Sequence, residues 1–330
     1  MSLEVSVKNS LVDVPVALIF FNRDDTLKFV FEKVKEARPS KLFLIQDGPR
    51  KDRNDEEGIE NCRKIVEDID WDCEVYKNYS QENLGCGKRV SSGISWAFEY
   101  VDRLVIIEDD CVVEPTFFDF SKELLEKYKD DKRVYMISAL NHFEKWDCCG
   151  NSYCFTTTGA IAAWATWKRV WEGFDLLISD FEDGYVQKTL KETFHYKRAA
   201  KTDMRTWGKV YKMGKEGQRI RFWGPQFSYL KYKNGGLSIV PSHSLSCNIG
   251  VGAKATFSGG GLNFMRKSIR KWFFQKTYPM KFPLKHPKAV LPDVKYDEKY
   301  YNISYPNFFV KFVSRVYYYI KRKLSRKARS

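Results

Sequence analysis

Apolar runs alternate with amphipathic segments through the first 133 residues. Residues 14–21 (VPVALIFF) form one such run, and 41–46 and 104–107 form others. Short runs of this kind, rich in Val, Ile and Leu, predict strands buried on both faces. Between them, apolar positions recur at helical spacing over 26–37, 54–69, 88–100 and 115–129. These segments predict amphipathic helices, the first capped by Asp24 or Asp25. A short strand is expected at 73–76, and the loop 83–87 (NLGCG) leads into the third helix. Strand and helix thus alternate as in βαβ units. The expected fold class is α/β, with a mostly parallel central sheet flanked by helices. After Arg133 the pattern changes to mixed strands, short helices and loops, with a strand at 237–240. Trp164, Trp167 and Trp171 fall at helical spacing, so one helix face would carry three indoles. Such a stripe serves core packing or a wall for stacking sugars.

The net charge of +14 is unevenly spread. Residues 261–330 carry 18 Lys and Arg against 3 Asp and Glu, a net of +15, which leaves −1 for residues 1–260. Ser258-Gly259-Gly260-Gly261 reads as a flexible joint where this shift begins. A nucleic-acid-binding body would itself be basic, so no nucleic-acid partner is expected. Residues 308–330 hold eight Lys and Arg and no acid, and Phe309, Phe312, Val316, Tyr319 and Lys323 follow helical spacing. This predicts an amphipathic basic helix that attaches to an anionic membrane surface, or one docked on the body with a solvated basic end. No stretch approaches the ~20 apolar residues of a membrane span. The eight cysteines contain no C-x-x-C pair, and no secretory signal precedes them. The expected location is cytoplasmic, peripheral on the inner face of the plasma membrane.

The chemistry concentrates where the 104–107 run ends in Glu108-Asp109-Asp110. Three adjacent acids repel one another, and a bound cation relieves that repulsion. A solvated acidic turn is the alternative, but the apolar Cys111-Val112-Val113 that follows places the acids in a buried region. Two other strand ends finish in polar clusters, Asn22-Arg23 and Asp47-Gly48. In a parallel sheet all three share one edge, where open α/β sheets bind ligands. The G-x-G-x-x-G fingerprint and the P-loop are both absent. What remains is a nucleotide-diphospho compound bound through a metal.

Residues 105–118 (VIIEDDCVVEPTFF) resemble the metal-binding segment of GT-A glycosyltransferases, most closely the N-acetylglucosaminyltransferase of the N-glycan pathway and its bacterial surface-polysaccharide relatives. Residues 15–23 (PVALIFFNR), 46–50 (QDGPR), Asn83-Leu84-Gly85, 164–168 (WATWK), 234–241 (NGGLSIVP) and Asn248-Ile249-Gly250 fit the same family in the same order. The resemblance implies a GT-A, Rossmann-like catalytic domain over 14–260. Its nucleotide-sugar half would be 14–133 and its acceptor half 134–260, with an irregular lead at 1–13 and a basic extension at 261–330. It implies an inverting transferase, dependent on Mn2+ or Mg2+, that moves a sugar from a UDP-sugar donor, UDP-GlcNAc among the candidates, to a glycan or lipid-linked acceptor in surface polysaccharide synthesis.

Roles follow by position. Asp110 would hold the metal, Asp109 the ribose or a metal-bound water, and Glu108 the donor sugar. Arg23 would reach the phosphate or base, and Asp47 the base. Lys88 or Arg89 would neutralise the diphosphate, unless they lie on a solvated helix face. Trp164, Trp223 and His142 fall on the acceptor side, and His243 reads as structural. Relatives often carry the general base just after the tryptophan matched by Trp223, but here Gly224 stands there. Asp203, Asp183, Glu182 and Glu216 are the remaining base candidates. The same departure suits a catalytically weak sugar-nucleotide-binding homologue. A nucleotidyltransferase making an NDP-sugar is a further alternative, although Asn22-Arg23-Asp24-Asp25 lacks the glycines its loop needs.

Overall fold

A computed structural model describes residues 8–193, 196–251, 262, 265–310, 312, 313, 316 and 317. The first half runs β1 (Val16–Phe20), α1 (Asp24–Ala37), β2 (Lys41–Gln46), α2 (Glu56–Val66), β3 (Glu74–Tyr79), α3 (Gly85–Ala97), β4 (Arg103–Glu108), β5 (Cys111–Val113) and α4 (Thr116–Lys127). The second half continues with β6 (Val134–Ser138), β7 (Tyr153–Thr156), β8 (Trp164–Trp167), α5 (Lys168–Trp171), a 3-10 turn at Ser179–Glu182, α6 (Gly184–Thr193), α7 (Lys197–Lys215) and α8 (Gly224–Lys233). It closes with β9 (Leu237–Pro241), β10 (Ser246–Asn248), α9 (Lys267–Arg270) and α10 (Val294–Ser304).

Eight strands form one sheet in the order β3-β2-β1-β4-β8-β6-β9-β7. The first four are mutually parallel, and β9 runs parallel to β6. Only β8 and β7 run against their neighbours. The α/β fold with a mostly parallel sheet is thus as expected. The apolar runs explain it, because every residue of β1 and the central residues of β4 are buried. The two halves lie side by side in this sheet, joined where β4 pairs with β8, and one hydrophobic core runs through both. The order 3-2-1-4 also sets the functional edge. The chain leaves β1 for β2 on one side and returns to β4 on the other, so the crevice between β1 and β4 is a topological switch point.

One expectation is corrected, and two segments are placed more closely. Residues 164–167 are strand rather than helix: β8 pairs antiparallel with β4, Trp164 opposite Ile106. All four of its residues are buried, so it carries no alternation to distinguish it. Next, much of the basic extension belongs to the body. Phe274 N–H donates to Asn248 O, Tyr278 N–H to Ser244 O, and Asp293 N–H to Phe155 O. Asp297 of α10 is buried and accepts from the Thr157 N–H at 3.0 Å and the Thr157 hydroxyl at 2.8 Å. Finally, part of the lead is strapped down, with Lys8 bridged to Trp71 and Val12 to Pro39. The joint at 258–261 lies outside the described residues.

Lys231 is a buried cation in α8, donating to Thr158 O at 2.5 Å and to Ser238 Oγ. Burial, against the weaker pull of Asp297, pushes its ammonium down to about 7. An unfolded lysine titrates near ~10.4. Between these values the unfolded chain binds the extra proton, so stability rises with pH; below about 7 both states are charged and the penalty is complete. Lys231→Met should therefore stabilise the protein more at pH 6 than at pH 9, by a gap on the order of a few kcal/mol. Denaturant unfolding at both pH values reads this; an equal effect at both contradicts it.

Candidate active site

Three strand ends build the site. Arg23 follows β1 at the N-terminus of α1, Asp47 follows β2, and Glu108 to Asp110 end β4. The Asp109 N–H donates to Ile19 O and extends the β1–β4 ladder by one residue. Asp109 Oδ2 accepts from the Phe21 N–H at 3.2 Å. Asp110 is held from behind by the 248–250 segment. Asn248 Nδ2 donates to Asp110 Oδ1 at 3.1 Å, and the Ile249 N–H donates to Asp110 O at 2.8 Å. A β-carbon on Gly250 would meet Asp110 Oδ2 at 1.8 Å, so only glycine fits there. The Asn-Ile-Gly motif is thus the clamp that aims the last acid.

Arg23 lies across the acids. Its Nη1 donates to Asp110 Oδ2 at 2.8 Å, and its Nη2 donates to Asp109 Oδ1. Its side chain is only 14% exposed. Burial opposes its charge, but Asp109 and Asp110 hold the guanidinium well above its ordinary value. Among the described residues Glu108 has no such hydrogen-bonded partner, and Arg23 acts on it only through its charge. Burial, with Asp110 and Asp109 nearby, pushes its carboxyl up to about 8. Burial also pushes Asp109 up, against the opposing pull of Arg23.

Two chambers meet at Arg23, Cys86 and Glu108. One, of about 310 Å³, is rich in cations: Arg23, Arg50, Arg89, Arg219 and Arg221 line it, with Phe21 and Asp47. The other, of about 710 Å³, is walled mainly by apolar groups, among them Ile161, Phe222, Trp223, Met265, Ile269 and Phe273. These sizes fall in the range of ligand clefts.

The donor-side candidates divide. Asp47 lines the cationic chamber, but both its oxygens are committed. Oδ1 accepts from Gly48 and Leu84 N–H, and Oδ2 from Gly85 N–H at 2.8 Å and Asn83 Nδ2 at 3.2 Å. It pins the loop before α3. Lys88 points to solvent, whereas Arg89, one helical step on, is buried, lines the chamber and donates to Asn78 Oδ1 at 2.9 Å. Burial lowers the Arg89 pKa.

The acceptor-side and base candidates need more correction. Trp223 lines the apolar chamber, but Trp164 is fully buried, stacked on Trp223 at 5.6 Å, and lines neither chamber. His142 is a core group, its ring 4.7 Å from those of both Trp272 and Tyr300, and burial pushes it down to about 3. None of the four base candidates lines either chamber. Glu182 is exposed and paired with Tyr211 and Lys215; Glu216 is exposed beside Lys212 at 3.6 Å. Asp183 caps the Val186 N–H at 2.9 Å. Asp203 accepts from the Tyr305 hydroxyl at 2.8 Å, and burial pushes it up to about 6. The carboxylates facing the apolar chamber are Glu108 and Asp110.

Arg219 and Arg221 were not foreseen. Arg219 Nη2 donates to Asn83 Oδ1 at 2.7 Å, which ties the segment before Trp223 to the loop before α3. The alternation Arg219-Ile220-Arg221, with Ile220 buried, is the signal that could have found them. Phe273, Met265 and Ile269 come from the stretch taken for an extension.

No family model matches the chain, and neither does any curated protein. Among solved structures it is similar to a mannosyltransferase, PcManGT from Pyrobaculum calidifontis in complex with GDP-Man and Mn2+. That likeness has 11% identity and a TM-score of 0.36, over 68% of this chain and 71% of that one. It is also similar to mouse xyloside xylosyltransferase 1, with 10% identity and a TM-score of 0.33 over 69% and 84%. A UDP-glucose pyrophosphorylase complexed with UDP-glucose shows 12% identity and a TM-score of 0.29 over 48% and 78%. Overlaps this partial carry no functional weight, so the assignment rests on the chain's own geometry.

Proposed function

We propose that this protein is a glycosyltransferase that moves a sugar from a nucleoside-diphosphate donor, a UDP-sugar in the simplest case, to a hydroxyl of a glycan or lipid-linked acceptor. One observation carries this reading: clamped carboxylates at the β1–β4 switch point lie where an arginine-rich chamber meets an apolar one. The arginine chamber suits the anionic nucleoside diphosphate. The apolar chamber, with Trp223 and Phe222, suits the sugar and acceptor and excludes water.

The residues fit a hard divalent cation. Asp109 and Asp110 present oxygen ligands, and the Arg23 guanidinium that bridges them is the positive charge such a cation would replace. Among the described residues no group of three His, Cys, Asp or Glu makes a complete cage. A cation there would need donor phosphates and water to complete its coordination. Asp110 and Asp109 would hold Mn2+ or Mg2+, which when bound supplies Lewis-acid stabilisation of the leaving diphosphate. Arg219 and Arg221 add fixed positive charge on the same side. Glu108, shared by both chambers, sits where the transferred sugar would lie.

Thermal melts with a panel of nucleotide sugars, with and without Mn2+, test this. A true donor at a hundred times its Kd stabilises by about 2.7 kcal/mol. The stabilising sugar nucleotide should then be consumed with release of nucleoside diphosphate. Conversion to nucleoside triphosphate and sugar 1-phosphate, only when pyrophosphate is added, would indicate a nucleotidyltransferase instead. No shift with any nucleotide sugar in Mn2+ would sink the reading.

The basic C-terminal stretch is read as a membrane anchor within the same proposal. Phe308, Phe309, Phe312, Val313, Val316 and Tyr317 are all exposed; most of 308–330 otherwise lies outside the described residues. Among the described residues no helix is long and apolar enough to cross a membrane. Each basic residue near an anionic surface contributes about 1 kcal/mol. Truncation after Tyr305 should therefore abolish co-sedimentation with phosphatidylserine vesicles at low salt; unchanged binding refutes the anchor.

A further inference from the structure

We propose that a second cleft, lined by Lys145, His243, Tyr278, Lys281 and Lys285, is a subsite for an acidic sugar of the acceptor glycan, one bearing a carboxylate or phosphate; this rests on the transferase reading above. The cleft has a volume of about 590 Å³. Three separate stretches of chain meet in it: the loop before β7, the turn between β9 and β10, and the segment after α9.

Its charge is predominantly positive, three lysines against Asp147. Lys145, Lys281 and Lys285 form no ion pair among the described residues. Lys145 Nζ lies 4.4 Å from the centre of the Tyr278 ring, and Lys276 Nζ approaches the same ring at 5.3 Å. One carboxylate at this ring is already engaged, since Tyr278 donates its hydroxyl to Glu144 Oε1 at 2.5 Å. Asp147 also lines the cleft, and its Oδ1 accepts from the Cys149 N–H at 2.9 Å. His243 sits among these groups, with Nδ1 3.1 Å from Ser242 Oγ and its ring 5.5 Å from that of Tyr278. Burial, then the positive charges of Lys145 and Lys281, lower its pKa. Unpaired like charges converging on one concavity repel each other, and a bound anion relieves them.

Shape and position select a glycan among anions. Leu245, Met280 and Pro283 add apolar surface beside Tyr278, the mixture that meets the CH faces of a sugar while the lysines take its charge. The cleft also lies near the candidate active site along the chain. Leu245 lines it, and Asn248, three residues along the chain, clamps Asp110 and lines the apolar chamber. At the rise of an extended strand those two positions are roughly 10 Å apart. An acceptor chain could therefore place a hydroxyl in the apolar chamber and an acidic residue here.

The test is solution NMR on the full chain, with glucuronate, glucose 6-phosphate, glucose and inorganic phosphate as probes. An acidic sugar should shift signals of Tyr278, His243 and Leu245, and glucose should not. Lys145→Gln with Lys281→Gln should weaken that binding at least fivefold while leaving the donor-induced thermal shift in Mn2+ unchanged. Inorganic phosphate binding as tightly as glucose 6-phosphate would overturn the glycan assignment. Failure of both acidic sugars to shift these signals, with the donor shift intact, overturns the subsite and spares the transferase reading. Loss of the donor response with acidic-sugar binding retained does the reverse to the active-site reading.

Discussion

Asp110→Ala should lower metal-dependent sugar transfer by about a hundred- to a thousandfold, the loss typical of removing one fixed charge-stabilising group from a reaction centre. The fold should survive. Asp110 is one of three acids crowded at the end of β4, and removing it relieves repulsion on Glu108 and Asp109. Arg23 loses one partner but keeps Asp109, so its charge is not left unpaired. Asn248 Nδ2 loses its bond to Oδ1 and keeps access to Cys111 Sγ at 3.6 Å. The net change in unfolding free energy should stay within about 2 kcal/mol. Asp110→Asn is the stricter variant, because it preserves shape and an acceptor for Arg23 while removing the charge. Initial rates at saturating donor and Mn2+, with a denaturant melt of each variant, decide the matter. Near-normal turnover in both would show that the acid cluster is not where transfer occurs.

The sheet edge was readable in the chain because strands buried on both faces betray themselves as apolar runs, and the residue that ends each run is then at the ligand-binding edge. Arg23, Asp47 and the Glu108–Asp110 cluster were located in this way, and the structure brings all of them to the cleft. Position did not disclose commitment. Asp47 carries the same signal as Asp109, yet its oxygens are spent on the loop before α3. Elements without period were lost. In 164–167 every side chain is buried, so neither helical nor strand spacing was available, and Trp167 three residues after Trp164 imitated a helix. Residues defined only by tertiary approach were also lost. Arg219 reaches the donor side through Asn83, 136 residues earlier in the chain. His142 illustrates the converse. A histidine after a strand end looks the same whether it faces an acceptor or Trp272 and Tyr300, and only burial separates the two.

Arg23→Gln should tighten Mn2+ binding in the absence of nucleotide, by at least about tenfold, or 1.4 kcal/mol. The guanidinium bridges Asp109 and Asp110, the two carboxylates assigned to the cation. A divalent ion entering there must displace that side chain or bear its repulsion. Two unit charges about 4 Å apart interact by about 4 kcal/mol at an effective dielectric of 20, so a tenfold change is a modest demand. Without metal the same substitution leaves Glu108, Asp109 and Asp110 with no cation among them. The variant should therefore melt below the wild type and recover more stability than the wild type when Mn2+ is added. Nucleotide should act in the opposite sense. In the wild type, an Arg23 released from the acids remains at the mouth of the arginine-lined chamber and can meet the diphosphate. Glutamine cannot, so the variant should bind nucleoside diphosphate more weakly even though it binds Mn2+ more tightly. Calorimetric titration of each ligand alone separates the two effects. Equal or weaker Mn2+ affinity in Arg23→Gln would mean that the ion does not share the site this arginine occupies.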